Sequence, residues 1–152
     1  MFSAPPVIGI RDQGALDLVQ TLLRQGVFVR IRASGNSMRP LLKGGEVIEL
    51  GPLQDRSPQL GDILFIRSQQ DNPFVHRLIW RRRRGGALHL LTKGDACAGF
   101  DGFFPAECAL GRVERIMRNR TISLQTPLMR LRAFLIVSRA IGRHAVRKLK
   151  RM

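Results

Sequence analysis

VFVRIRASGNSMRPLL, residues 27–42, joins two patterns whose meeting point sets the reading of the whole chain. Val27, Val29, Ile31 and Ala33 alternate with Phe28, Arg30 and Arg32, and a period of two is that of a strand with one buried face. The strand runs into Ser34-Gly35-Asn36-Ser37 and breaks at Pro40. Glycine in such a break permits a tight turn and a close backbone approach. Ser37 is thereby presented at a strand end with backbone N–H groups beside it that suit a developing oxyanion. An ordinary turn is the alternative reading of the same residues. A serine hydroxyl is a weak nucleophile unless a base takes its proton, so the rest of the chain must be searched for one.

Upstream, Leu16, Val19, Leu22 and Leu23 lie on one face of a short helix that Gly26 ends. Residues 1–12, with Pro5 and Pro6, read as an extended arm. Downstream, strand-like runs occupy 46–50, 63–67, 74–81, 87–92 and 110–118, punctuated by KGG, SPQLGD, DNP, RRGG and KGD. Short, closely spaced strands without intervening helices predict a mainly β, compact, barrel-like domain over 13–126. After Thr126-Pro127, Leu128, Leu131, Leu135 and Val146 fit a basic amphipathic helix over 127–152, with Gly142 as an interruption. Such a helix suits docking on the domain or lying in a membrane interface.

A length of 152 residues and a hydrophobic content of 44% fit one domain with its own core. Cys97 and Cys108 match no metal-ligand spacing and make no disulfide framework. No metal or organic cofactor is expected. No secretory signal pattern and no run of about 18 apolar residues is visible. The expected location is the cytoplasm, with peripheral membrane contact possible. The net charge is +15, and from Arg112 onward twelve Lys/Arg stand against Glu114 alone. That block suits anionic lipid, nucleic acid or an acidic partner, or simply a solvated arginine surface.

Histidine is the commonest general base, and the chain has three. His144 lies in the basic tail, His89 within the strand-like ALHLL, and His76 in NPFVHRLIW, a strand opening after a proline turn. A third segment, LLTKGDACAGFD (90–101), offers Asp95 and Asp101. Either can be a turn residue. A carboxylate is also what a serine–histidine pair needs, to hold the imidazole tautomer and stabilise the imidazolium.

Together and in order, ASGNSMRPLL, GDILFI, FVHRLI, TKGDACAGFD and ALGRV resemble the five consecutive boxes of the signal peptidase I clan, over roughly residues 16–114. The clan has a Ser–Lys form and a Ser–His–Asp form. Where the first has lysine, this chain has His76 followed by Arg77, and Lys43, Lys93, Lys148 and Lys150 all lie elsewhere. Arginine cannot take the role, because guanidinium does not deprotonate in proteins. The resemblance implies Ser37 as nucleophile, His76 as base and Asp101 as the orienting acid, with Asp95 supporting the turn or exchanging roles with it. It also implies an oxyanion hole at the Ser37 N–H. Many signal peptidases place a helping serine two residues before the nucleophile; here that position is Gly35, so Ser34 is the possible helper. Met38 is assigned to substrate binding. The chain departs from the clan in having no N-terminal membrane helix within 1–26 and in carrying Gly45-Glu46 where Gly-Asp is usual.

The function expected is a serine endopeptidase that cuts an extended peptide or leader segment after a small residue. A self-cleaving repressor-like regulator is the alternative that shares SGxSM, but residues 1–26 hold at most one short helix and no Ala-Gly or Cys-Gly pair precedes Ser37. A non-catalytic basic protein binding nucleic acid through Arg81–Arg84 and the tail is the other alternative. Aromatic content of 6% without tyrosine gives it few stacking platforms.

Overall fold

A computed structural model describes residues 6–54 and 56–149, with side chains placed as far as residue 145. Residues 1–5 of the expected arm, the Val146 side chain and the last three residues of the basic tail lie outside that description. The elements follow as β1 (Val7–Ile8), α1 (Gln13–Arg24), β2 (Val29–Arg32), β3 (Val47–Gly51), β4 (Ile63–Arg67), β5 (Pro73–Arg84) and β6 (Ala87–Lys93). Then come β7 (Phe103–Pro105), a 3-10 turn (Ala106–Cys108), β8 (Ala109–Met117), β9 (Ile122–Ser123) and α2 (Pro127–Leu149). The chain is mainly sheet, with one helix near each end.

Local chemistry explains the helix boundaries. Asp12 caps α1 by accepting from Ala15 N–H at 2.8 Å. At the other end Gly26 takes φ 80°, while its N–H reaches Leu23 O and Val27 N–H reaches Leu22 O, closing a Schellman turn. That turn leaves Val27 and Phe28 about half exposed, so the alternation foreseen from Val27 begins instead at Val29. Thr126 and Pro127 open α2 as cap and first residue. The helix runs through Gly142 without the expected interruption. A Cβ there would meet nothing within 4 Å, and glycine inside a helix costs only about 1 kcal/mol.

The strands form one sheet in the order β1-β2-β3-β8-β4-β5-β6-β7, with β9 beside β4's position along β8. β1 adds to β2 in parallel, so part of the arm joins the sheet. A barrel would require β1 to pair with β7; no such pair exists among the described residues, and the sheet is open. The two edge strands are only two and three residues long, too short for a closing ladder. The apolar residues also fill both faces rather than one interior. Ile63 and Phe65 belong to the main core with Leu16, Val19, Leu23, Ile31 and Ile48, whereas Leu64 and Ile66 join Leu78 and Leu90 in a second cluster. That division explains why β4 is apolar at every residue from Ile63 to Ile66: it is central and covered on both sides.

α2 docks on the sheet. Ala133, Val137 and Ala140 are buried, the latter two packing with Ile79 and Phe100. Gly61 has φ 88°, and a Cβ on it would stand 2.8 Å from that of Ala133. Arg130 pins the start of the helix to the fully buried Asp62, which also accepts from Gln59 N–H at 2.7 Å. No helix among the described residues is long and apolar enough to cross a membrane.

Candidate active site

Strand alternation sends His76 and Arg77, neighbours on β5, to opposite faces of the sheet. His76 pairs across to Leu64 and Arg77 to Ile63, so each inherits the face of its partner. On one face His76 Nδ1 lies 2.7 Å from Asp101 Oδ2, and Nε2 lies 3.0 Å from Ser37 Oγ. A carboxylate only accepts, so Nδ1 of the neutral imidazole carries the proton and Nε2 presents its lone pair to the serine hydroxyl. On the other face Arg77 donates from Nε and Nη2 to the two oxygens of Asp95 at 2.8 and 2.7 Å. A third donation runs from Nη1 to Gly61 O at 2.9 Å. Ser37, His76 and Asp101 are therefore brought together, while Asp95 is spent on Arg77.

The segment after β6 reaches both faces because it is tied along its length. Ala96 N–H donates to Ser37 O at 2.8 Å, which seats the turn against the backbone of Ser37. Asp101 N–H returns to Thr92 O at 2.9 Å. Thr92, fully buried on β6, also donates its hydroxyl to Asp101 Oδ2 at 2.7 Å. Gly94 lies at the closest approach: a Cβ would stand 3.0 Å from His76 Nε2 and 2.8 Å from Ser37 O. Phe74 packs edge-on against the imidazole with ring centroids 5.0 Å apart. Thr92 and Gly94 escaped the sequence reading, although both lie inside LLTKGD; their roles depend on which way β6 faces.

The loop that carries Ser37 is held from behind. Arg118 forms a two-pronged ion pair with Glu46 and donates to Leu41 O at 2.7 Å. Glu46 also accepts from Lys43 N–H at 2.7 Å, so the Gly45-Glu46 departure still makes a carboxylate-closed turn. The Arg118 hydrogen bond holds the Glu46 carboxyl below its usual range, against a smaller opposing effect of burial.

The remaining foreseen residues fall elsewhere. Met38 is 3% exposed within the main core, so its side chain packs the base of the loop instead of facing solvent. Ser34 is exposed. His89 makes a long contact of 3.4 Å with Ala87 O, and His144 stacks edge-on against Phe100 at 4.9 Å. Cys97 and Cys108 are unbridged, and burial raises the Cys108 thiol above its ordinary value. No group of three His, Cys, Asp or Glu positioned to hold a metal occurs among the described residues. A cleft of about 490 Å³ lies between α2 and the sheet, lined by Arg77, Asp95, Ile63 and Val113. It therefore belongs to the Arg77 face, and neither Ser37 nor His76 lines it.

Comparison with protein-family models, with curated proteins and with solved structures found no match to this chain.

Proposed function

We propose that this protein is a serine endopeptidase of the signal-peptidase-like, Ser–His–Asp kind. The observation that carries the reading is the continuous contact Ser37 Oγ–His76 Nε2 at 3.0 Å and His76 Nδ1–Asp101 Oδ2 at 2.7 Å. Ser37 Oγ attacks the scissile carbonyl carbon as His76 Nε2 takes its proton, and Asp101 stabilises the imidazolium. The Ser37 N–H has no protein acceptor among the described residues and serves the oxyanion. On collapse the C–N bond breaks and His76 returns the proton to the leaving amine. Water, deprotonated by His76 in turn, attacks the acyl carbon, and the bond to Ser37 Oγ breaks as His76 returns the proton to that oxygen.

The order of the five segments supports an extended peptide or leader sequence as substrate, cut after a small residue. Any likeness to the clan's barrel lies in that order, since the sheet here is open. Incubation with a peptide library rich in small residues, read by mass spectrometry, tests the proposal. Cleavage by the wild type and none by folded Ser37→Ala is the expected result. Cleavage by that variant at the wild-type rate would sink the assignment.

A further inference from the structure

α2 carries two apolar stripes, and the sheet covers only one. On the inner stripe Ala133, Val137 and Ala140 are buried. On the outer, Leu128 is 61% exposed, Leu131 57%, Phe134 64%, Leu135 48% and Ile141 38%. Leu128, Leu131, Phe134 and Leu135 are linked by spacings of three and four residues, and Ile141 follows Phe134 after seven, so these five share one arc, which extends about 20 Å along the helix at 1.5 Å per residue. Isolated exposed apolar residues are ordinary, but a continuous arc of five marks an interaction surface.

The charges beside the arc select its occupant. Residues 127–149 contain no Asp or Glu. Arg132, Arg139 and Arg143 follow one seam between the two stripes, spaced seven and four residues apart, and have no carboxylate partner among the described residues. If the arc sinks into the acyl region, these guanidinium groups reach sideways to phosphates at the boundary. A second copy of the chain fits poorly, because face-to-face packing of two such helices would bring six unpaired guanidinium groups together.

We propose that the outer face of α2 is a docking surface for an anionic lipid bilayer, on which the helix lies parallel to the membrane plane. This stands apart from the peptidase reading, and its test measures binding rather than cleavage. The full chain is sedimented with vesicles of phosphatidylcholine alone and of phosphatidylcholine with one-third phosphatidylserine. Partitioning is expected to be about a hundredfold stronger on the anionic vesicles and to weaken with salt. Leu131→Gln/Phe134→Gln, both on the exposed face, should lower it at least tenfold. Arg132→Gln/Arg139→Gln/Arg143→Gln should lower it about a hundredfold. Circular dichroism verifies that each variant is folded. Equal binding by wild type and Leu131→Gln/Phe134→Gln would overturn the proposal. So would a dimer in sedimentation that this pair of substitutions abolishes while vesicles bind neither form.

Discussion

Thr92 and Asp101, nine residues apart, meet twice: Asp101 N–H donates to Thr92 O at 2.9 Å, and the Thr92 hydroxyl donates to Asp101 Oδ2 at 2.7 Å. The second bond ends on the same oxygen that receives His76. In the proposed triad Thr92 is thus a positioning residue, acting on the imidazole through the carboxylate. Thr92→Val keeps the shape and loses one hydrogen bond to a charged group, a loss of about 1.5–3 kcal/mol where fully expressed. We expect kcat to fall about ten- to a hundredfold with KM little changed. Thr92→Ser should restore most of it, and failure of that rescue would reduce Thr92 to a packing role.

The two aspartates should fail in different assays. Asp101→Asn puts an amide where the imidazole needs a carboxylate, so kcat should drop by about four orders of magnitude with the melting temperature little changed. Asp95→Asn removes the charge partner of an Arg77 side chain that is 3% exposed. Breaking a buried pair from one side costs about 3–5 kcal/mol, so this variant should unfold at lower denaturant. Turnover measured beside urea denaturation separates them, and a stable but inactive Asp95→Asn would reverse the two roles.

Ser37 and His76 should behave as one unit. Removing either ends proton transfer for both, so Ser37→Ala/His76→Ala should be scarcely slower than each single variant. Strictly additive losses in single-turnover rates would mean that the two act separately.

Acid should loosen the Ser37 loop through Glu46. Its folded carboxyl titrates below the ordinary value because Arg118 binds the charged form. A depressed folded pKa contributes stability above the unfolded value, about 4.5, and loses it as pH falls through the folded one. The wild type should therefore exceed Arg118→Gln in melting temperature near neutrality, and the gap should close as pH drops below about 4.5. A gap that stays constant down to pH values well below that point would show that Arg118 acts through Leu41 O alone.

Period and punctuation made the six longer strands and both helices legible, since each follows from its own residues. β1, β7 and β9 were not legible, because strands of two or three residues exist only through their neighbours. Closure was misjudged for a related reason: ILFI at 63–66 reads as buried without saying that its residues divide between two clusters. The serine and histidine were visible in separate segments. The choice between Asp95 and Asp101 depends on Arg77 facing away from His76, a consequence of strand alternation that sequence spacing alone did not resolve. Met38 stands beside Ser37 in sequence, yet its side chain turns inward to the core, a direction that the turn residues alone do not reveal.

Asp95 and Asp101 are fastened to adjacent residues of β5 on opposite faces, so the chain between them works as a ruler of fixed length. Exchanging Ala96, Ala98 or Gly99 for another small residue leaves the ruler intact. Adding or deleting one residue does not, because either the ion pair or the imidazole contact must then be given up. Across descendants of this sequence, point changes should accumulate in that interval while its length stays constant, and a gap in an alignment there would mark a lineage without the proposed triad.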